Sequence, residues 1–189
     1  MKKIALFASG NGSNFEALVV ACQRGEIPAE AVLLVCDQPD APVVTRAHRL
    51  GVACFCFSPK TYASKADYEQ QIVQQLDQRN VDLICLAGYM RILSSVLLTA
   101  YAGRILNIHP SLLPAFKGAH AIRDAFEYGV RVFGVTIHEV DASLDGGRIV
   151  AQHSFPYEGN DLAELERQIH ALEHPLYIET VKKWLSKLK

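Results

Sequence analysis

The run RILNIHPSLLP sets an amide, Asn107, and an imidazole, His109, two residues apart in an otherwise apolar stretch. In a strand, residues i and i+2 project to the same side, so the two side chains point together. Pro110 ends such a strand and leaves both groups at its carboxyl end, where open α/β sheets take their ligands. An amide beside an imidazole suits a reaction in which a carbonyl becomes a tetrahedral oxyanion. Both groups donate to the developing charge, and the imidazole can also move a proton. The same spacing equally fits a hydrogen-bonded pair that ties down the following loop.

Three other stretches carry polar groups at suggestive spacings. ALFASGNGSNF reads as a strand, a glycine-rich turn and a helix start. Such a turn aims backbone N–H groups at an anion, and the helix dipole adds to the attraction. Gly10 and Gly12 allow close approach, while Ser13 and Asn14 add side-chain donors. The dinucleotide fingerprint G-x-G-x-x-G has Phe15 at its third glycine, and no Gly-Lys-Ser/Thr follows, so the turn suits a monophosphate; the alternative is a tight turn alone. DASLDGG carries Asp141 and Asp145 in an ordinary turn-forming context. They become chemical only if the turn folds over the Asn–His pair, where a carboxylate would orient the imidazole. His170, Glu173 and His174 match H-x-x-E-H. A catalytic zinc needs a third ligand and an open position; Glu179 is the one local candidate and Pro175 abuts the motif, so no metal is assigned.

The elements that must position these groups alternate along the chain. Apolar strand patterns occur at KIALFAS, AVLLVCD, VACFCFS, VDLICLAG and RILNIHP, with helical patterns between them. In SKADYEQQIVQQLDQRN, Ser64 and Asp67 have capping-box spacing, and Tyr68, Ile72, Val73 and Leu76 share a face. Solidly apolar strands alternating with helices predict an α/β fold, a doubly wound, mostly parallel sheet covered on both sides. Two longer runs, VFGVTIHEVDA and GRIVAQHSFPY, meet across an Asp-Gly-Gly turn and predict an antiparallel pair near the C-terminal end. A final helix over the segment from Asp161 has apolar residues at 162, 165, 169, 172, 176, 181, 185 and 188. Pro175 is expected to kink or restart it.

Length and composition narrow the class. The 189 residues suffice for one well-buried core and suggest a single domain over 1–189. A net charge of −1 gives no basic face for nucleic acid. The lysines of VKKWLSKLK suit a solvated last helical turn better than a membrane patch. Five cysteines without a C-x-x-C pair read as buried thiols of a reducing cytoplasm. The first apolar run is too short for a signal peptide or membrane span, so a cytoplasmic protein without membrane partners is expected.

Taken together, GNGSN after the first strand, LAGYMRIL after the fourth, NIHPSLLP after the fifth and LDGG after the sixth resemble the glycinamide ribonucleotide formyltransferases of purine biosynthesis. The resemblance runs from Lys3 into the C-terminal helix. It implies a Rossmann-like formyltransferase fold and 10-formyltetrahydrofolate as co-substrate, without a metal. It assigns Asn107, His109 and Asp145 as a catalytic trio. Gly12, Ser13 and Asn14 would hold the ribonucleotide phosphate, Pro110 would lie by its amine and Glu173 would hold its ribose. Met90, Arg91, Ile92 and Leu93 would wall the folate pocket, with the backbone of the loop from Asp141 to Asp145. After SLLP some relatives carry a basic residue; here Ala115 follows and Lys117 comes two later. The implied partners are two small molecules, and the oligomeric state stays open. Rival readings are a formyltetrahydrofolate hydrolase, whose relatives carry an extra N-terminal domain, and a methionyl-tRNA formyltransferase, which should have a basic C-terminal domain. A silent folate- or nucleotide-binding module and a dinucleotide oxidoreductase with Asp37 on a ribose complete the set.

Overall fold

A computed structural model describes residues 1–188. Its strands are β1 (Lys2–Phe7), β2 (Ala29–Cys36), β3 (Cys54–Cys56), β4 (Leu83–Leu86), β5 (Ile105–His109), β6 (Val132–Glu139) and β7 (Ile149–Pro156). The helices are α1 (Ser13–Gln23), α2 (Pro42–Arg49), α3 (Lys65–Gln78), α4 (Ser95–Ala100), α5 (Ala121–Tyr128) and α6 (Leu162–Leu185). All seven strands form one sheet in the order β3-β2-β1-β4-β5-β6-β7. The first five pair in parallel, as the continuous apolar strands imply. The antiparallel region is wider than the expected strand pair, because β6 runs antiparallel to β5 as well as to β7.

Strand β1 shows why its sequence is apolar throughout. Ile4, Leu6 and Ala8 enter one core layer with Phe15 and Leu18 of α1, Val43 and Ala47 of α2, and the apolar side of α6. Ala5 and Phe7 enter the opposite layer with Tyr68, Ile72 and Leu76 of α3 and Leu97 of α4. Both faces of the sheet are therefore covered. The chain leaves β1 towards β2 and β3, then returns to β4 on the other side of β1. That reversal opens a crevice at the carboxyl ends of β1 and β4, the place where such sheets bind ligands.

Helix starts follow their residues. Ser64 caps α3, accepting from the Asp67 N–H at 3.2 Å and donating its hydroxyl to the Asp67 carboxylate at 2.8 Å. Asp161 caps α6 by accepting from the N–H groups of Ala163 and Glu164. Helix α6 passes through Pro175 without restarting, although proline supplies no N–H for a helical bond at that position. Its buried face steps by four through Leu165, Ile169, Glu173, Tyr177, Val181 and Leu185. Apolarity alone therefore misplaced part of the stripe: Leu172 and Leu176 are half-buried, whereas polar-tipped Tyr177 is buried. The Tyr177 hydroxyl shares its hydrogen between the carbonyls of Leu86 and Leu106, 3.0 and 3.1 Å away, and so bridges β4 and β5. No helix among the described residues is long and apolar enough to cross a membrane.

Candidate active site

Asn107 and His109 occupy the carboxyl end of β5, flanked by β4 and β6. Directly opposite them on β6 stand His138 and Thr136 respectively, and opposed residues of an antiparallel pair share a face. Asn107 Nδ2 lies 3.1 Å from His138 Nε2. His138 Nδ1 donates to the Glu139 carbonyl at 2.7 Å, which leaves Nε2 as the acceptor for the amide. Burial lowers the His138 pKa and favours this neutral ring. Sequence reasoning missed His138. Its signal was present, since Thr136 and His138 repeat on β6 the polar i, i+2 pattern of Asn107 and His109.

Thr136 serves the loop rather than the reacting centre. Its hydroxyl donates to the Ser111 carbonyl at 2.7 Å and accepts from the Leu113 N–H at 3.1 Å. Gln152 of β7 adds a bond to the Leu113 carbonyl. The segment after Pro110 is thus fixed to two strands, and it returns the Phe116 carbonyl to 2.8 Å from His109 Nε2.

The Asp-Gly-Gly turn does fold over the pair. Asp145 Oδ2 lies 3.5 Å from His109 Nδ1, and Oδ1 lies 3.8 Å from His138 Nε2. Asp145 adopts a left-handed φ of 46° and accepts from the Gly118 N–H at 2.8 Å. Both nitrogens of His109 now face acceptors, so only the doubly protonated ring donates to both. Gly147 permits the return into β7: a Cβ there would stand 1.9 Å from the Glu139 carbonyl oxygen.

The glycine-rich turn lies at the end of β1. Gly12 has φ 78°, and a Cβ on it would meet Val43 of α2 at 2.4 Å. It precedes α1, whose first-turn N–H groups have no helical acceptors. Arg46, the nearby cation, is committed to the Asn11 carbonyl and to Glu16. The Asn14 side chain turns inward: Nδ2 donates to Glu173 Oε2 at 2.8 Å, and buried Oδ1 has no partner. Asn14 therefore offers an outside anion its backbone N–H. His170 Nδ1 also approaches Glu173 Oε2, at 3.0 Å. This histidine–glutamate hydrogen bond is what the H-x-x-E-H spacing builds here.

The proposed folate wall is split. Met90 and Ile92 are 71% and 65% exposed, while the Arg91 side chain turns away to pair with Asp37. Leu93 is buried and, with Leu98, Val140, Asp141 and Gly147, lines a cleft of about 840 Å³ between α4 and the 140–148 turn. Asp141 accepts from the Ser143 N–H at 2.8 Å, which stabilises the turn. The nucleotide-ribose role considered for Asp37 does not survive: it is 2% exposed, and both its oxygens are taken by Ser9 and Arg91.

Comparison with known proteins gives the family. Residues 2–181 match the family model described as formyl transferase. A phosphoribosylglycinamide formyltransferase of Bacillus subtilis is 50% identical over 98% of this chain and 95% of its own length. The Escherichia coli enzyme of the same name is 35% identical over 91% of this chain and 82% of its own. The crystal structure of glycinamide ribonucleotide transformylase 1 from Geobacillus kaustophilus superposes with a TM-score of 0.95 at 50% identity, covering 98% of this chain and 99% of that one. The strand order, the turn over the Asn–His pair and these matches lead to one placement: the chain belongs to the formyl transferase family.

Proposed function

We propose that this chain, as a single domain over residues 1–189, transfers the formyl group of 10-formyltetrahydrofolate to the primary amine of glycinamide ribonucleotide. The observation that carries the reading is the meeting of Asn107, His109 and Asp145 at one strand end, in a chain so close to phosphoribosylglycinamide formyltransferases. The neutral amine attacks the formyl carbon; with an ordinary pKa near ~8 it is partly protonated at neutral pH. The new carbon–nitrogen bond pushes the carbonyl electrons onto oxygen. The second N–H of the Asn107 amide stabilises that oxyanion. His109 adds a donor by exchanging the Phe116 carbonyl for the oxyanion while Asp145 faces its other nitrogen. Collapse breaks the bond to the folate nitrogen. Asp145, through a water, passes the amine proton towards that leaving nitrogen.

Binding follows the same frame. The N–H groups of Gly12, Ser13 and Asn14 take the phosphate, and Glu173 takes the ribose hydroxyls. Pro110 lies beside the attacking amine. Met90, Arg91, Ile92 and Leu93 with Asp141 bound the pterin; the cleft beside Leu93 has the size of a small-molecule site. Holding both reactants in line supplies much of the remaining rate. The partners are these two small molecules in the cytoplasm, with neither nucleic acid nor membrane.

The test follows loss of 10-formyltetrahydrofolate with and without glycinamide ribonucleotide. Loss that requires the ribonucleotide and matches its formylated product is the expected result. Equal loss without it identifies a hydrolase. Binding of both ligands with no loss identifies a silent binding module.

A further inference from the structure

One hydrogen-bonded chain crosses the carboxyl ends of three adjacent strands, β2, β1 and β4. Ser9 follows β1, Asp37 follows β2, and Met90 and Arg91 follow β4. The Ser9 hydroxyl donates to Asp37 Oδ1 at 2.5 Å and accepts from the Met90 N–H at 2.9 Å. Arg91 Nε donates to Asp37 Oδ2 at 2.6 Å. The Ser9 N–H donates to the Gly88 carbonyl at 3.0 Å. A hydroxyl has one hydrogen, so Ser9 runs in a fixed direction, from backbone donor to carboxylate acceptor.

This chain lies beside both proposed subsites. Ser9 immediately precedes the Gly10–Asn14 turn, and Met90 and Arg91 open the folate wall. Leu93 of the wall is buried, but Met90 and Ile92 are largely exposed and are not held by burial. Hydrogen bonds fix the segment at both ends: Ser9 accepts from the Met90 N–H and Asp37 from the Arg91 side chain at the near end, and buried Glu69 accepts from the Ser94 N–H at 2.8 Å at the far end.

We infer that Asp37 is a positioning residue that couples the two substrate subsites, so that a ribonucleotide ordering the glycine-rich turn tightens folate binding. The inference rests on the function proposed above. Ordering one end of a shared network lowers the entropic cost of ordering the other. Linkage requires the effect to be reciprocal: each ligand must tighten the other by the same factor.

The experiment titrates the full chain calorimetrically with tetrahydrofolate, with and without glycinamide ribonucleotide, and then in the reverse order. The wild type should show one common enhancement of about 5-fold or more in both directions. Asp37→Asn should abolish the enhancement while the affinity for ribonucleotide alone stays close to wild type. If Asp37→Asn does not fold, Ser9→Ala replaces it, because it removes the bridging hydroxyl and leaves the Asp37–Arg91 pair; it too should lose the enhancement. Independent binding in the wild type overturns the inference, as does full enhancement in the variants. A parallel fall of both single-ligand affinities and of Tm also overturns it, since that marks a merely structural contact. Wild-type turnover separates the two levels. Absence of formyl transfer defeats the functional reading and this inference with it; transfer with coupling unaltered in the variants defeats this inference alone.

Discussion

Asn107 and His138 face each other across β5 and β6, and the amide nitrogen of one lies 3.1 Å from the Nε2 of the other. The Glu139 carbonyl, 2.7 Å from His138 Nδ1, fixes the tautomer, and the tautomer fixes the amide. One N–H of Asn107 goes to His138 and the second is free for substrate. Asn107→Ala is expected to lower kcat by about 10²-fold, the loss of one oxyanion donor. His138→Leu should lower kcat less, with KM little changed, because the donor survives without its orientation. The double variant should be no worse than Asn107→Ala, since His138 acts through the amide. Steady-state kinetics of the three proteins decide it; fully multiplicative losses would rule out the orienting role.

Asp145 is held by geometry that asparagine can copy. Its Oδ2 accepts from the Gly118 N–H at 2.8 Å, and an amide oxygen in that place would do the same. What Asp145→Asn removes is the charge 3.5 Å from His109 Nδ1. Turnover is expected to fall by roughly 10²-fold, as for loss of an acid–base group, with binding of both ligands retained. Lost folate binding with kcat intact would mark the residue as a structural pin of its turn.

The reach of the sequence differs between the two halves of this site. Asn107 and His109 were legible because a two-residue spacing in an apolar strand is a local signal. The glycine-rich turn was legible for the same reason. His138 bears the same kind of local signal on β6, yet its meaning depends on the β5–β6 register, which no local pattern fixes. Asp145 required a turn to fold back over a strand whose pairing partner was not known. The Asn14–Glu173 bond joins residues 159 apart in the chain. In α6 the apolar count misled because Glu173 and Tyr177 occupy core positions with their polar tips satisfied, so burial and hydropathy part company there.

His170 gives the site a pH signature in stability. Its hydrogen bond to Glu173 raises the His170 pKa above 6.5, while burial works against the shift. A raised folded pKa means the contribution is full below the unfolded value and fades as pH rises through the folded one. His170→Gln is therefore expected to lower Tm at about pH 5.5 and to change it little at about pH 9. The side chain is 54% exposed, so solvent screening keeps the effect small. The comparison must be variant against wild type at each pH. The wild-type profile also contains His138, whose lowered pKa removes stability as pH falls below 6.5. Equal differences in Tm at both pH values would mean that the ion pair contributes nothing.

Gly147 tests whether the turn must sit where it does. A Cβ added there meets the Glu139 carbonyl oxygen at 1.9 Å and its carbon at 2.8 Å, both backbone atoms that cannot rotate away. At Gly146 the nearest atom is instead the Ser143 hydroxyl oxygen, at 2.3 Å, which belongs to a small exposed side chain. Gly147→Ala should cost about 1–3 kcal/mol of stability, the usual penalty of overpacking. It should also push the turn off β6, lifting Asp145 from His109. Turnover at a temperature where the variant remains folded should then fall well below that of Gly146→Ala, whose Tm should shift less. Thermal melts paired with kcat for both variants separate the two effects. Wild-type turnover in folded Gly147→Ala would show that catalysis tolerates displacement of Asp145, and the carboxylate would lose its place in the proposed proton path.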